Sequence, residues 1–309
     1  MKILFVSPDP RPERWTQLLE SALPEAQWIV WHPEMPCQQA DYALVWQPPE
    51  ILFKKEPQLK AIFNLGAGVD ALLKLSKLPK ELPIFRLEDA GMSAQMAEYL
   101  VHQVAEITRM MPAYRQQQQQ KTWRMQAPCR RYEWPIGFLG MGQIGLKAAK
   151  ALAMMEYPVA SWSRTEKQIE GIESFHGQEQ LGAFLNRSRI LINTLPLTPD
   201  TQGCLNQALF DQLPDKSVVI NVGRGQHLAE MDLLKALDQG KLSHAVLDVF
   251  SEEPLPNSHP FWSHPKITLT PHISAPTLRE ETVRQISEKL KRLAAGNEVS
   301  GKVDRTRGY

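Results

Sequence analysis

The stretch Ile136-Gly-Phe-Leu-Gly140-Met-Gly142-Gln-Ile-Gly145 decides how the second half of this chain folds. Its first four residues predict a buried strand, and the residues after Gly145 have helical spacing. At such a turn the first glycine permits the tight bend, the second lets the backbone approach a pyrophosphate, and the third allows close packing of helix on strand. The helix N-terminus then faces the phosphates. We therefore predict that a dinucleotide contacts Gly140, Met141, Gly142, Gln143, Ile144 and Gly145.

Short apolar runs and helical segments alternate on both sides of this turn. One long helix, predicted over residues 93–118, connects two such series, and a last helix is predicted over residues 277–295. Apolar strands without a polar face indicate parallel sheets that are covered by helices on both sides. The sequence therefore predicts an α/β fold of two doubly wound parallel-sheet domains. The predicted strands are residues 2–6, 28–31, 42–46, 61–65 and 84–87, then 136–139, 159–163, 190–195, 218–222, 245–250 and 267–270.

Length and composition are those of a globular protein with room for two cores. The chain has 309 residues, 43% hydrophobic and 22% charged, and no apolar stretch as long as a bilayer span requires. A formal charge of +1 gives no general attraction to nucleic acid or anionic lipid, so we expect neither as a partner. Cys37, Cys129 and Cys204 lack the spacing of a metal site or a disulfide framework. We expect buried thiols, no bound metal and a cytoplasmic protein.

The residues at the end of the predicted strand 159–163, the first strand after the glycine turn, indicate which dinucleotide is bound. About 20 residues after the glycines, an NAD site carries Asp or Glu for the ribose 2′-hydroxyl. This chain has Ser163-Arg164-Thr165 there. Arg164 suits the 2′-phosphate of NADP, with Ser163, Thr165 and Lys167 assisting, although an ordinary exposed arginine is the alternative. We predict NADP as the cofactor, with NADPH preferred over NADH.

Four further motifs follow predicted strands and therefore belong at the same edge of the sheet. They are Leu195-Pro-Leu-Thr-Pro-Asp-Thr201, Asn221-Val-Gly-Arg-Gly225, Asp248-Val-Phe-Ser-Glu-Glu-Pro-Leu255 and Thr270-Pro-His-Ile-Ser-Ala275. The guanidinium of Arg224 suits a substrate carboxylate, and the last two motifs supply a glutamate and a histidine. A lone histidine is more often structural than catalytic, but this group of motifs reverses the expectation. Further predicted cofactor contacts are Leu195, Pro196, Thr201, Val222, Gly223 and Asp248.

In this order and spacing the motifs resemble those of the D-2-hydroxyacid dehydrogenase family. The resemblance implies that Arg224, Glu253 and His272 are catalytic. It also implies a Rossmann cofactor domain, residues 101–272, inserted in a flavodoxin-like substrate domain of residues 1–100, to which residues 273–309 return. Members of the family usually form homodimers, so we expect a homodimer.

The first hundred residues extend this resemblance to reductases of short 2-keto acids within the family. It rests on Tyr42-Ala-Leu-Val-Trp46, Leu65-Gly-Ala-Gly-Val-Asp70 and Phe85-Arg-Leu-Glu-Asp89. By resemblance, backbone N–H groups of the glycine loop bind the substrate carboxylate, and a bulky pocket favours glyoxylate and hydroxypyruvate over branched keto acids. For Trp46, ordinary core packing is an equal alternative. The predicted substrate contacts are Trp46, Ala67, Gly68, Arg86, Arg224 and His272.

The reaction that the resemblance implies is reduction of a small 2-keto acid by NADPH, glyoxylate to glycolate and hydroxypyruvate to D-glycerate. Protonated His272 gives its proton to the carbonyl oxygen, Glu253 favours the imidazolium and orients the ring, and Arg224 holds the carboxylate. Two alternatives stay open. One is a related reductase for a larger 2-keto acid, and the other is a protein that senses NAD(P) on the same fold.

Overall fold

Residues 1–308 are described by a computed structural model, in which the chain divides into two compact units. The first unit comprises Met1–Gly91 and the C-terminal segment from Thr277, and the second comprises Met92–Pro276. None of the helices within residues 1–308 combines the length and the apolar character that crossing a bilayer requires.

The first unit is built on a five-stranded sheet. All its strands are parallel, in the order β2-β1-β3-β4-β5, which is the flavodoxin-like order. Every residue of β3 and β4 is buried, as expected for strands covered on both faces. The elements are β1 (Lys2–Val6), α1 (Glu13–Ala22), β2 (Gln27–Val30), β3 (Tyr42–Val45), α2 (Ile51–Lys55), β4 (Ala61–Asn64), α3 (Asp70–Leu73), β5 (Ile84–Phe85) and the C-terminal α10 (Arg279–Ala294).

The second unit is built on a seven-stranded parallel sheet. Its order, β12-β11-β10-β9-β6-β7-β8, contains the reversal of strand order that defines a Rossmann fold. The predicted fold class of two doubly wound parallel-sheet domains is confirmed. The elements are α4 (Met92–Thr108), α5 (Met111–Gln119), β6 (Ile136–Leu139), α6 (Gln143–Met154), β7 (Val159–Ser163), β8 (Glu173–His176), α7 (Leu181–Arg187), β9 (Ile190–Asn193), α8 (Gln207–Gln212), β10 (Ser217–Asn221), α9 (Glu230–Asp238), β11 (Leu242–Leu247) and β12 (Ile267–Leu269).

The division between the units differs from the boundaries predicted from the sequence. We expected the change at residue 100, which falls inside α4. Met96, Leu100 and Val104 of this helix pack into the core of the second unit, so the whole of α4 belongs there. The C-terminal return to the first unit begins at Thr277 instead of residue 273.

The helix predicted over residues 93–118 is two helices. The chain breaks between α4 and α5, where Met110 takes a left-handed conformation with φ of 56°. Pro112 lies in the first turn of α5, where its missing N–H costs no helical hydrogen bond. The periodic apolar pattern continues across the break, which is why the sequence suggested one helix.

Two further expectations from the sequence were wrong. The strand β8 was not predicted, because Glu173-Ser-Phe-His176 has only one large apolar residue; it pairs with β7 alone, at the edge of the sheet. The three cysteines were expected to be buried. Cys37 is exposed, and Cys129 and Cys204 are of intermediate exposure, because they lie in connections between elements and not in the strands of the core.

Candidate active site

The candidate site lies at the carboxyl edge of the seven-stranded sheet. Because its strands are parallel, the segments that follow β6, β7, β9, β10, β11 and β12 all emerge at that edge. Each predicted cofactor contact and catalytic residue of the second unit belongs to one of these segments or to the last residue of its strand. Parallel pairing is therefore what groups residues that are far apart in the sequence.

The glycine turn after β6 has the local geometry that the motif predicts. Gly140 has a φ of 87°, a conformation that favours glycine, and α6 begins directly after Gly142. A Cβ placed on Gly142 would have no atom within 4 Å, whereas one on Gly145 would lie 2.9 Å from Thr194 Oγ1. Gly142 thus borders open space in front of the helix N-terminus, and Gly145 packs tightly. Met141 is buried and Gln143 is exposed.

The segment after β7, the strand next to β6, carries two cations, Arg164 and Lys167. Arg164 is exposed at the end of the strand, and Ser163 Oγ shapes the bend by donating to the carbonyl of Thr165 at 2.7 Å. The Nζ of Lys167 donates to the carbonyl of Met141 at 2.5 Å, so its ammonium lies against the glycine turn itself. The space beside Gly142 is open, and the N–H groups of the helix N-terminus and the two cationic side chains are donors. This arrangement fits a phosphorylated dinucleotide.

The loop of residues 195–201 lies beside the glycine turn. A Cβ on Gly140 would be 3.2 Å from the backbone nitrogen of Leu195. Thr201 closes the loop, because its Oγ1 donates to the carbonyl of Pro196 at 2.7 Å and accepts from the N–H of Thr198 at 2.8 Å. These two loops flank the point at which the strand order reverses, where ligands bind in open α/β sheets.

Gly225 explains how the loop that carries Arg224 meets the loop that carries Glu253. A Cβ on Gly225 would lie 1.8 Å from the carbonyl carbon of Phe250, so only glycine allows the two backbones to approach this closely. Gln226 adds a bond from its Nε2 to the carbonyl of Ser251 at 3.1 Å. Arg224 is half-buried and donates from Nη1 to the carbonyl of Gly223 at 2.8 Å.

His272 and Glu253 form a hydrogen-bonded pair. His272 Nδ1 lies 2.8 Å from Glu253 Oε2, and Glu253 is itself oriented by the N–H of Phe250, which donates to Oε1 at 2.9 Å. The His272 side chain is 49% exposed and that of Glu253 is 38% exposed, so a ligand has access to both. Because Nδ1 is turned to the carboxylate, Nε2 is the ring nitrogen that is directed away from Glu253. The pair predicted from the sequence is therefore assembled.

The backbone around His272 is held by a buried carboxylate. Asp248 is fully buried, and its oxygens accept hydrogen bonds from Thr270 Oγ1 at 2.6 Å, from the N–H of Ile273 at 2.8 Å and from the N–H of Ser274 at 2.9 Å. The N–H of His272 donates to the carbonyl of Asp248 at 2.8 Å. These bonds on either side hold His272 at a φ of 55°, which a non-glycine residue rarely adopts.

Tyr99 supports this arrangement from helix α4. Its hydroxyl lies 2.7 Å from Thr270 Oγ1, and because Thr270 uses its proton on Asp248, Tyr99 must be the donor. Burial, with a smaller contribution from the charge of Asp248, raises the pKa of Tyr99 to about 12, so the hydroxyl keeps its proton. Sequence reasoning missed Tyr99, since nothing in its helical surroundings distinguishes it from a core residue.

The predicted substrate contacts of the first unit also follow neighbouring strands. Trp46 follows β3, Ala67 and Gly68 follow β4, and Arg86 follows β5. The Trp46 ring lies on the glycine loop, since a Cβ on Gly66 would be 2.5 Å from its Cζ3.

Asn64 was not predicted, and it fixes the shape of this loop. It is buried, and its Nδ2 donates to the carbonyls of Gly66 at 3.0 Å and Gly68 at 2.8 Å. As the last residue of a buried strand, Asn64 is a polar side chain at an apolar position. That signal is visible in the sequence.

The second unit has a recognisable sequence relationship. Residues 101–274 match the family model for the D-isomer specific 2-hydroxyacid dehydrogenase, NAD binding domain, and this range is more than half of the chain. The chain belongs to this family. The resemblance noted from the motifs is thereby confirmed.

Relatives and solved structures extend the similarity to the whole chain. The glyoxylate/hydroxypyruvate reductase A of Yersinia enterocolitica is 48% identical, with 100% of both chains covered. The structure of the NADPH-dependent glyoxylate/hydroxypyruvate reductase from Sinorhizobium meliloti with NADP and sulfate is 35% identical, with a TM-score of 0.94 over 100% of this chain and 99% of that one. A D-isomer specific 2-hydroxyacid dehydrogenase from Xanthobacter autotrophicus Py2, with NADPH and MES, is 37% identical, with a TM-score of 0.93 over 100% and 99% of the chains.

The role of Asp248 can be tested by stability. Asp248→Asn keeps the size of the side chain but turns one acceptor oxygen into an NH₂ group that faces N–H donors. A buried polar group left without a partner costs about 1–3 kcal/mol. We expect the free energy of unfolding, measured by urea denaturation, to fall by that amount. The control is Asp215→Asn, because Asp215 is exposed and pairs with Lys241 at the surface; equal losses in the two variants would contradict the role.

Proposed function

We propose that this protein is an NADPH-dependent reductase that converts glyoxylate to glycolate and hydroxypyruvate to D-glycerate. The observation that carries the proposal is the 2.8 Å contact between His272 Nδ1 and Glu253 Oε2, at the sheet edge that also bears the glycine turn. The name of the Yersinia relative supports the substrates. The NADP complex of the Sinorhizobium protein supports the cofactor.

The proposed chemistry divides the reaction among three side chains. The nicotinamide cofactor, when bound, supplies the hydride that adds to the keto carbon. His272 holds a proton on Nε2 and passes it to the carbonyl oxygen, while Glu253 accepts from Nδ1 and stabilises the positive ring. Arg224 pairs with the substrate carboxylate and fixes the orientation of the keto group. The hydroxy acid forms when the carbon has gained the hydride and the oxygen has gained the proton.

The residues at the strand ends account for binding in this proposal. The proposed substrate contacts are Arg224 and His272 in the second unit and Trp46, Ala67, Gly68 and Arg86 in the first, where the bulk of the indole favours short keto acids. The 2′-phosphate of NADP contacts Arg164, with Ser163, Thr165 and Lys167 close by. The other proposed cofactor contacts are the six residues of the glycine turn, Leu195, Pro196, Thr201, Val222 and Gly223; Asp248, also predicted from the sequence, is fully buried with both oxygens bonded, and it holds the turn around His272 instead.

The test of the function is oxidation of NADPH and NADH, followed by absorbance, with glyoxylate, hydroxypyruvate, pyruvate and a branched 2-keto acid. We expect the highest kcat/KM with NADPH and the two short acids. A higher kcat/KM with the branched acid would point to a reductase for larger substrates. Failure to oxidise either cofactor with any of the acids, when binding of NADPH is intact, would overturn the proposal in favour of a sensor.

His272 is tested by replacement with glutamine, which can still donate a hydrogen bond but cannot act as an acid. Loss of a general acid lowers turnover by about 10²–10⁴-fold. We expect His272→Gln to show that loss with glyoxylate while its Kd for NADPH is nearly unchanged. The matched control is His259→Gln, because His259 forms a second histidine–glutamate pair, with Glu230 at 3.1 Å. Turnover near that of the wild type in His272→Gln would refute the assignment.

Arg164 is tested through the choice of cofactor. Arg164→Gln removes one or two charge-assisted bonds to the 2′-phosphate, each worth about 1.5–3 kcal/mol. We therefore expect the Kd for NADPH, measured by calorimetry, to rise by about tenfold or more while the Kd for NADH is unchanged. Arg187→Gln, which removes a surface ion pair with Glu173, is the control. An equal loss for both cofactors would exclude a role at the 2′-phosphate.

We also propose that the protein is a homodimer. Residues 122–130 lie outside helices and strands, and in this segment Trp123 is completely exposed and Met125 is 83% exposed. Neighbouring exposed apolar side chains of this size mark interaction surfaces. In sedimentation at micromolar concentration we expect a wild-type dimer and a monomer after Trp123→Ser with Met125→Ser. Met154→Ser, at an exposed methionine on α6, should stay dimeric; a monomeric wild type would refute the proposal.

The proposed location is the cytoplasm. The three cysteines are free, which is consistent with a reducing compartment. NADPH-dependent glyoxylate reduction should therefore be recovered in the soluble fraction of lysed cells and not in the periplasmic or membrane fractions.

A further inference from the structure

Three polar side chains lie completely buried beneath the loop that carries Arg224. They are Asn193 at the end of β9, Asn221 at the end of β10, and His227, three residues after Arg224. Polar groups with no access to solvent must be satisfied by one another or by the backbone. Their partners therefore show what these side chains hold in place.

The hydrogen bonds of His227 define its protonation. The N–H of Arg224 donates to Nδ1 at 3.1 Å, and Asn193 Nδ2 lies 2.9 Å from the same atom. Because two donors face Nδ1, this nitrogen is the acceptor. Its partner Nε2 then carries the proton and donates to the carbonyl of Pro196 at 3.3 Å. His227 is a neutral imidazole that links the loops after β9 and β10.

The two asparagines extend this network to the backbone carbonyl of Arg224. Asn221 Nδ2 donates to the carbonyl of Arg224 at 2.9 Å, so the backbone N–H and the backbone carbonyl of Arg224 are both bound by this network. Asn193 Nδ2 also donates to Asn221 Oδ1 at 2.9 Å, which joins the two contacts. Asn193 Oδ1 accepts from the N–H of Leu195 at 3.2 Å.

The backbone of the loop lies directly on the network. A Cβ on Gly223 would be 2.9 Å from Asn193 Nδ2 and 3.1 Å from His227 Nδ1, so only glycine leaves room at this position. The contact fixes where the chain turns immediately before Arg224. The place from which the guanidinium extends is thus set by buried hydrogen bonds and not by the surface of the loop.

We propose that His227 is a positioning residue for Arg224, acting with Asn193 and Asn221. The network holds the Arg224 backbone so that the guanidinium meets the substrate carboxylate in the orientation that the reaction needs. This inference rests on the proposed function, since that function gives Arg224 its role. Misplacement of a binding group by about 1 Å is enough to lower a rate by up to roughly 10²-fold.

The test compares His227→Asn with His227→Leu. Asparagine places Oδ1 near the position of Nδ1 and keeps an acceptor for the Arg224 N–H, whereas leucine keeps the bulk and removes every hydrogen bond of the side chain. Both variants lose the contact with Pro196, so their difference isolates the two bonds that Nδ1 accepts, from the Arg224 N–H and from Asn193 Nδ2. We expect kcat/KM for glyoxylate to fall by roughly 10–100-fold in His227→Leu, mainly through KM, and to be largely restored in His227→Asn.

Hydrogen–deuterium exchange of residues 222–228 gives a readout that is independent of activity. The Arg224 amide should exchange faster in His227→Leu than in His227→Asn or the wild type. His244→Leu is the control: His244 is half-buried and bonded to Thr268 Oγ1 at 2.9 Å, but it lies on β11 away from these loops. It should leave both KM and the exchange of residues 222–228 unchanged.

The outcomes separate the two proposals. If the wild type does not reduce glyoxylate, the proposed function fails, and the exchange experiment alone still decides whether His227 holds Arg224. Equal KM values in folded His227→Leu and His227→Asn, or equal exchange of the Arg224 amide, would overturn the inference. If His227→Leu does not fold, Asn221→Ser replaces it, because it removes the bond to the Arg224 carbonyl and should raise KM in the same way.

Discussion

Parallel pairing of the strands in the seven-stranded sheet is the constraint on which the rest of the structure depends. It turns six separated segments toward one edge, from the glycine turn after β6 to the histidine turn after β12. Pairing alone gives proximity and not contact. Contact comes where a side chain is absent, as at Gly225, whose backbone lies against Phe250 and brings the Arg224 and Glu253 loops together.

In the candidate site, the side chains that fix the backbone are different from the side chains that are proposed to react. Asp248 and the network of Asn193, Asn221 and His227 are fully buried. The carboxylate binds the N–H groups of Ile273 and Ser274, next to His272, and the network binds the backbone of Arg224. The reactive side chains themselves are partly exposed. This division is physically reasonable, because buried hydrogen bonds are shielded from water and hold a fixed geometry, while proton transfer requires access to the substrate.

Most of the strands could be predicted because a buried parallel strand is a short apolar run, as in β9 and β10. The prediction failed where that signal was weak or where it persisted across a break. Glu173-Ser-Phe-His176 forms an edge strand without an apolar run, and the periodicity of α4 continues past Met110 into α5. The boundary between the units was misplaced because the packing of α4 is a tertiary property.

The sequence by itself determined the fold class, the glycine turn, the arginine after β7 and the set of motifs at the strand ends, because each depends on local residue spacing. Only the tertiary structure decided which nitrogen of His272 faces Glu253, that Asp248 holds the turn around His272, and that His227 binds the backbone of Arg224. The physical reason is that these contacts join segments distant in the chain. A hydrogen bond between two such segments does not produce a pattern of residue spacing in the sequence of either one.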